Sequence, residues 1–394
     1  MRPAASRTGP IARVIEGSAK NPLLVVMLVA CLGVWGWLSL RKAPLDAIPD
    51  LSDAQVIVFT EWMGRSPDLV EDQITYPIST SLIAAPRVTS VRGQSMFGMS
   101  FVYVIFEDGT DMYWARSRVL EYLNEAQARL PEGVNPTLGP DATGVGWVFS
   151  YALVDRTGQH DLAQLRAIQD FKVRYAVESV PGVAEVASVG GFEKQYQVTV
   201  DPVKLRARGV TLEDVMRAVR RSNEDVGGQS IEIAGHEHVV RGRGYVTSVR
   251  DLELVPVKLG MGGVPVFVKD VGTVSLGPDA RRGLAELDGL GEVTGGIVVM
   301  RYGENALDVI DAVKRRLAEI ELPDGVEVVV TYDRSGLILE SIDTLTFTLL
   351  EEMIVVSIII FLFLLHVRSA LVPILTLPLG VLLAFIPMGF QGLT

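Results

Sequence analysis

The chain has 394 residues, a formal net charge of −11 and 48% apolar residues. An acidic balance of that size argues against a nucleic-acid partner, which needs a basic face. Cys31 is the single cysteine, so the chain holds neither an internal disulfide nor a cysteine-based metal site; the cysteine-free remainder suits an oxidising compartment.

Residues 1–21 form a basic stretch with Arg2, Arg7, Arg13 and Lys20. Residues 22–40 carry no charge; at about 1.5 Å per residue they cover roughly one hydrocarbon core and exceed a signal-peptide apolar region. The basic residues in front place the N-terminus in the cytoplasm, a reading that Arg41 and Lys42 oppose in part. A region of nearly 300 residues follows on the outer side and alternates strand-like with helix-like segments. "AQVIVFT" (54–60) reads as a strand and 66–85 as a helix opened by Ser66-Pro67. "VTSVRGQ" and "SFVYVIF" read as two strands and 111–130 as a helix stopped by Pro131 and Gly133. The order βαββαβ is that of a ferredoxin-like unit.

The pattern recurs. "WVFSYALV" reads as a strand, 161–180 as a helix and "VAEVASV" as a strand. Two short signatures mark the copies. Pro-x-Val-x-x-Val occurs at Pro86, Val88, Val91 and again at Pro181, Val183, Val186. Leu-Pro-acid-Gly-Val occurs at 130–134 and again at 322–326. Pro86 and Pro131 are 45 residues apart, Pro181 and Pro323 142 apart, so the second copy carries an insertion of 97 residues. The insertion has its own succession of segments, "KQYQVTV", "TLEDVMRAVRRSN", "HEHVVRGRG" and "VPVFVKDVGTVSL". The interrupted copy resumes with "TGGIVVMRY", a helix at 305–320 and the strand "VEVVVTY". A second apolar run, 353–365, must extend back to about Leu345 to cross the core, giving a span at 345–365 that places Glu351 and Glu352 within a turn or two of the outer interface. A cytoplasmic turn at 366–369 and a third run at 370–390 follow, the latter with Pro373, Pro378 and Pro387. Three prolines in one span fit a bundle larger than three helices, whose neighbours re-satisfy the freed backbone groups.

Several residues are candidates for chemistry. Met96 and Met99 carry thioethers suited to Cu(I), and Met63 and Met112 add sulfurs if the fold brings them near. Packing by a flexible apolar side chain is the competing reading. A spacing of three puts Met96 and Met99 on opposite strand faces unless a turn at Gly98 intervenes. His236 and His238 share a strand face that could take a metal or be plain exposed polar surface. Glu351 and Glu352 are candidates for a proton path, against simple hydration near an interface. No nucleophile–base array, phosphate loop or metal-hydrolase motif appears, so nothing supports an enzyme.

The stretches "IPDLSDAQV" (48–56), "FVYVIFEDGTDMYWARSRVLEYLN" (101–124), "LGPDATGVGW" (138–147), "VAEVASVGG" (183–191), "GVPVFVKDV" (263–271), "RRGLAELDG" (281–289) and "HVRSALVPILTLPLG" (366–380) resemble the heavy-metal branch of the resistance-nodulation-division (RND) efflux permeases, and within it the copper/silver permeases. The resemblance covers the whole chain. It implies an α+β membrane protein: three transmembrane helices with a large periplasmic region of two ferredoxin-like porter subdomains, at 53–136 and at 137–191 plus 291–335. A docking subdomain at 192–290 interrupts the second. It further implies a proton-driven pump of the bacterial inner membrane that moves Cu(I) and Ag(I) outward without a cofactor. Its partners would be two further copies in a homotrimer, a periplasmic adaptor and an outer-membrane channel. Helix 111–130 would line the central pore with Tyr113, Ser117 and Asn124. The family's proton-relay residues and three-methionine metal site match no position here, so the chain is expected to be the front part of a twelve-span permease that does not transport by itself. The alternatives are half of a divalent-cation (Co/Zn/Cd) permease and a structural subunit that assembles with a separate second half. A membrane-anchored sensor lacks a cytoplasmic output domain.

Overall fold

Pro10 at the first helical position, with its φ already suited to a helix, opens α1 (Pro10–Lys20). In the computed structural model, which describes residues 9–42, 46, 48, 50–260, 263–281 and 283–391, α1 is amphipathic. Ile11, Val14 and Ile15 are exposed on one side, and Lys20 bonds Glu16 one turn back at 2.7 Å. A helix was not anticipated in this basic stretch; Arg2 and Arg7 lie outside the described residues, as does Arg282. Asn21 separates α1 from the apolar α2 (Pro22–Lys42).

The first sheet follows. β1 (Gln55–Glu61) alternates buried and part-buried residues, the period of a strand with one face on a core. α3 (Pro67–Val70) passes through a π-helical turn, Glu71–Thr75, into α4 (Tyr76–Leu82). β2 (Val88–Met96), β3 (Met99–Phe106), α5 (Met112–Gln127) and the short β4 (Thr137–Leu138) complete the unit. Asp111 caps α5 by accepting from the Trp114 N–H at 2.7 Å. The strands lie in the order β2-β3-β1-β4. Val56, Val58, Val102 and Val104 on one sheet face pack with Ile74, Ile78, Val119 and Leu123 from the helices.

A second sheet repeats this path across an interruption. β5 (Trp147–Asp155) leads to α6 (Leu162–Ile168), a π turn at Gln169–Val173, α7 (Arg174–Glu178) and β6 (Val183–Gly190). The chain then leaves through β7 (Lys194–Val200), α8 (Pro202–Arg208), α9 (Leu212–Ser222), the hairpin β8 (Val226–Ile233) and β9 (His236–Gly242), α10 (Val249–Glu253), β10 (Pro256–Leu259), β11 (Pro265–Phe267), α11 (Val268–Val271), β12 (Gly272–Pro278) and β13 (Ala285–Glu286). It returns as β14 (Glu292–Met300), α12 (Ala306–Ala318) and β15 (Val326–Asp333). β14 pairs with β6 on one side and β5 on the other, and β5 pairs with β15. By position in the path this is again second-third-first-fourth. The excursion has its own small cores, around Val210, Val215, Val266 and Val271 and around Leu252, Val255, Val268 and Val274. Within it "VPVFVKDVGTVSL" divides into β11, one helical turn and β12, because the Asp270 carboxylate accepts from the Phe267 N–H (2.9 Å) and starts the turn.

α13 (Arg334–Leu364) and α14 (Val367–Gln391) are the last two helices of the described residues. Among the described residues three helices are long and apolar enough to cross a membrane: Pro22–Arg41, Arg334–Leu364 and Ser369–Met388. α13 contains nearly all of the 345–365 span and reaches back beyond Leu345. It starts eleven residues earlier, where Asp333 accepts from the Ser335 N–H (2.9 Å), so its 31 residues extend about 46 Å, well beyond a ~30 Å hydrocarbon core. The upper end is packed into the second sheet: Arg334, Ser335 and Ile338 are buried.

Candidate functional site

β2 and β3 are joined by the two-residue turn Phe97-Gly98, and Met96 and Met99 are direct cross-strand partners. Partners across a strand pair project to the same side of the sheet. A spacing that would separate the two sulfurs on a continuous strand therefore brings them together. Gly98 makes this possible with φ +68°, a value a side chain resists. The next strand extends the row, since Met99 also faces Glu61 on β1. The turn at 62–65 is tied to the hairpin tip by backbone bonds, Trp62 N–H to Gly98 O and Gly98 N–H to Arg65 O, both 2.9 Å. It lays Met63 over Gly98, with Sδ 3.2 Å from where a Cβ on that residue would stand.

The row lies on the sheet face away from the helices. Along β3, Ser100, Val102 and Val104 are buried towards the helices and alternate with the part-buried Met99, Phe101 and Tyr103. Phe59 and Phe101, centroids 4.9 Å apart, form the next row. Met63 is 54% and Met96 42% exposed, so neither fills the core of the first unit. Met112 is 4% exposed within the core of the first unit, so the fourth candidate sulfur is a packing residue. Glu61 was not singled out in the sequence, although the period-two register of β1 holds the signal.

On α5, Met112, Ala115, Val119, Leu123 and Ala126 are buried, and Tyr113, Ser117 and Asn124 are exposed. Leu120, 48% exposed, completes their stripe at i, i+4, i+7 and i+11; the spacing could have revealed it. The Tyr113 hydroxyl donates to Asp141 Oδ2 at 3.1 Å, and Arg301 Nη1 donates to the same oxygen at 3.1 Å. Asp141, in "LGPDATGVGW", thus ties the first unit's helix to the end of β14.

His236 and His238 are both exposed on β9, opposite Ile233 and Ile231. Among the described residues no group of three or more His, Cys, Asp or Glu could hold a metal ion. Glu351 and Glu352 are exposed along α13, Glu352 about 18 Å of helix from Leu364. Where α13 meets the second sheet, Arg334 is 1% exposed. Its Nη1 donates to Val145 O (2.6 Å) and its Nη2 to Ile48 O (3.4 Å). Nε is 3.0 Å from the Asp46 carboxylate but off the N–H axis, an ion pair without a hydrogen bond.

Two similar sheets, an excursion in the second and three apolar helices now meet comparison with known proteins. The model of the AcrB/AcrD/AcrF family matches residues 14–394. The chain belongs to the AcrB/AcrD/AcrF family. Within the family it is 54% identical over 382 residues to the cation efflux system protein SilA of Salmonella typhimurium and, over the same length, to the cation efflux system protein CusA of Escherichia coli K12. Each match covers 96% of this chain and 36% of the relative. The cobalt-zinc-cadmium resistance protein CzcA of Cupriavidus metallidurans is 37% identical over 385 residues, covering 95% of this chain and 36% of its own. A crystal structure of a heavy metal efflux pump superposes with a TM-score of 0.85 at 32% identity, covering 95% of this chain and 38% of that one. The chain therefore spans about a third of the length of the family members it matches, and the resemblance to heavy-metal permeases read in the sequence holds.

Proposed function

We propose that the chain is the N-terminal part of a proton-driven heavy-metal cation efflux transporter that exports Cu(I) and Ag(I), and that it is not an enzyme. One observation carries this reading: 54% identity across 96% of the chain to two cation efflux system proteins, against 37% to a cobalt-zinc-cadmium resistance protein. The three apolar helices anchor it in the bacterial inner membrane, with the N-terminus cytoplasmic and the region between the first two spans periplasmic. The two similar sheets serve as porter subdomains, 53–136 and 137–191 with 291–335, and the 192–290 excursion as a docking subdomain. It works as a homotrimer with a periplasmic adaptor and an outer-membrane channel. The stripe Tyr113, Ser117, Leu120, Asn124 on α5 supports the trimer, offering a mixed polar and apolar face to a pore. The hairpin β8–β9, exposed along its whole length with Val226, Ile231, Ile233 and Val239 outward, supports it by offering strands that a second copy can cover. Deleting the gene from its host is expected to lower tolerance to silver and copper and to leave zinc, cobalt and cadmium tolerance unchanged. Loss of zinc, cobalt or cadmium tolerance with silver and copper tolerance intact would overturn the reading.

A further inference from the structure

We propose that the tip of the β2–β3 hairpin is a binding site for a soft monovalent cation, Cu(I) or Ag(I), formed by the thioethers of Met63, Met96 and Met99 with the Glu61 carboxylate beside them. The proposal deepens the metal-efflux reading and rests on it for the choice of cation.

Three features lead there. The first is exposure. Two long apolar side chains, Met63 in the 62–65 turn and Met96 on a sheet face that carries no helix of its unit, are about half exposed, which leaves one side of each open to solvent. The second is register. Glu61, Met99 and Met96 occupy one row across β1, β3 and β2, where neighbouring Cβ atoms stand about 5 Å apart. Flexible thioethers at that spacing can converge on one ion. Gly98 then admits Met63 from above, because any Cβ there would meet its Cα and Sδ at 3.1 and 3.2 Å. The third is donor chemistry. Thioether sulfur selects Cu(I) and Ag(I) over the harder divalent ions, which prefer imidazole and carboxylate, and a single carboxylate balances a single positive charge. The neighbouring cation, Arg65, is drawn over the Trp62 ring with its guanidinium carbon 4.9 Å from the centroid.

The test uses the full chain in detergent micelles with methionine ε-methyl groups labelled with carbon-13, titrated with silver nitrate in chloride-free buffer. Saturable shifts of the Met63, Met96 and Met99 methyl signals are expected, with Met112 unmoved. Met63→Leu/Met96→Leu/Met99→Leu, close in volume to the parent and checked for folding by circular dichroism, is expected to bind silver at least ~10-fold more weakly. Should the variant fail to fold, the titration of the parent chain decides alone. Silent methyl signals overturn the site, as do equal shifts on adding zinc. The two readings fail separately: silent methyls with silver tolerance still dependent on the gene remove the site and leave the efflux reading. Shifted methyls with only zinc tolerance dependent on the gene remove the efflux reading and leave a soft-cation site.

Discussion

Arg334 holds its charge 99% out of solvent at the head of α13 and spends its fork on two backbone carbonyls and Asp46. Truncating such a residue leaves a carboxylate and two carbonyls short of a partner, which costs more than the pair contributes when intact. Arg334→Ala should therefore destabilise the described fold by about 3 kcal/mol, read as a lowered urea midpoint. Arg334→Lys should lie between, since an ammonium keeps the charge but cannot reach both carbonyls in one plane. Single-residue roles were the least legible in the sequence. Arg334 lies just past the strand "VEVVVTY", and its carbonyl partners are 189 and 286 residues away. Met96 and Met99 were legible as sulfur donors; their pairing hung on whether the chain turned at Gly98, a backbone choice that strand alternation does not settle.

Elements were more legible, because amphipathic period and proline punctuation are local. Pro86 and Pro181 each stand two residues ahead of the first residue of β2 and β6, and the Leu130 and Leu322 signatures lead into β4 and β15, at matching points of two equal paths. The π turns carry no signal in the sequence. Each inserts into the first helix of its unit without altering composition, and each brings a buried polar side chain to the sheet. Thr75 Oγ1 meets Ser95 and Ser100 at 2.8 and 2.7 Å. Gln169 Oε1 accepts from the Tyr151 hydroxyl at 3.1 Å, and burial pushes that phenol's pKa well above its usual value. Between the apolar helices, contact depends on small residues. A Cβ on Gly36 of α2 would lie 2.5 Å from the Leu382 carbonyl oxygen of α14, an approach that only glycine allows. Gly36→Val should push α2 and α14 apart and lower stability in detergent by about 1–3 kcal/mol, measured as a fall in the thermal midpoint; Gly17→Val, which has open space around it, should be near neutral.

Over the whole molecule the folded state holds several aspartates below their ordinary pKa. Asp155 is lowered by the Thr157 hydroxyl and the His160 N–H, and Asp214, Asp225 and Asp251 mainly by backbone N–H groups of helix starts and loops. Burial would raise Asp333, but Lys314, 2.5 Å away, and Ser335 outweigh it. A depressed carboxylate binds fewer protons folded than unfolded, so its stabilisation is complete above the unfolded value of about 3.9 and is lost as pH falls through the folded one. The thermal midpoint by circular dichroism should be level from pH 7 to about 5 and drop steeply below about 4. That acid-labile pair of Asp333 and Lys314 sits beside the point where one uninterrupted helix leaves the second sheet and continues for 31 residues. Such a helix acts as a lever. Tilting α13 by about 5° about its lower end would sweep Arg334 sideways by about 4 Å, and because Asp46, Ile48 and Val145 grip that arginine, the segment leaving α2 and the approach to β5 would have to travel with it.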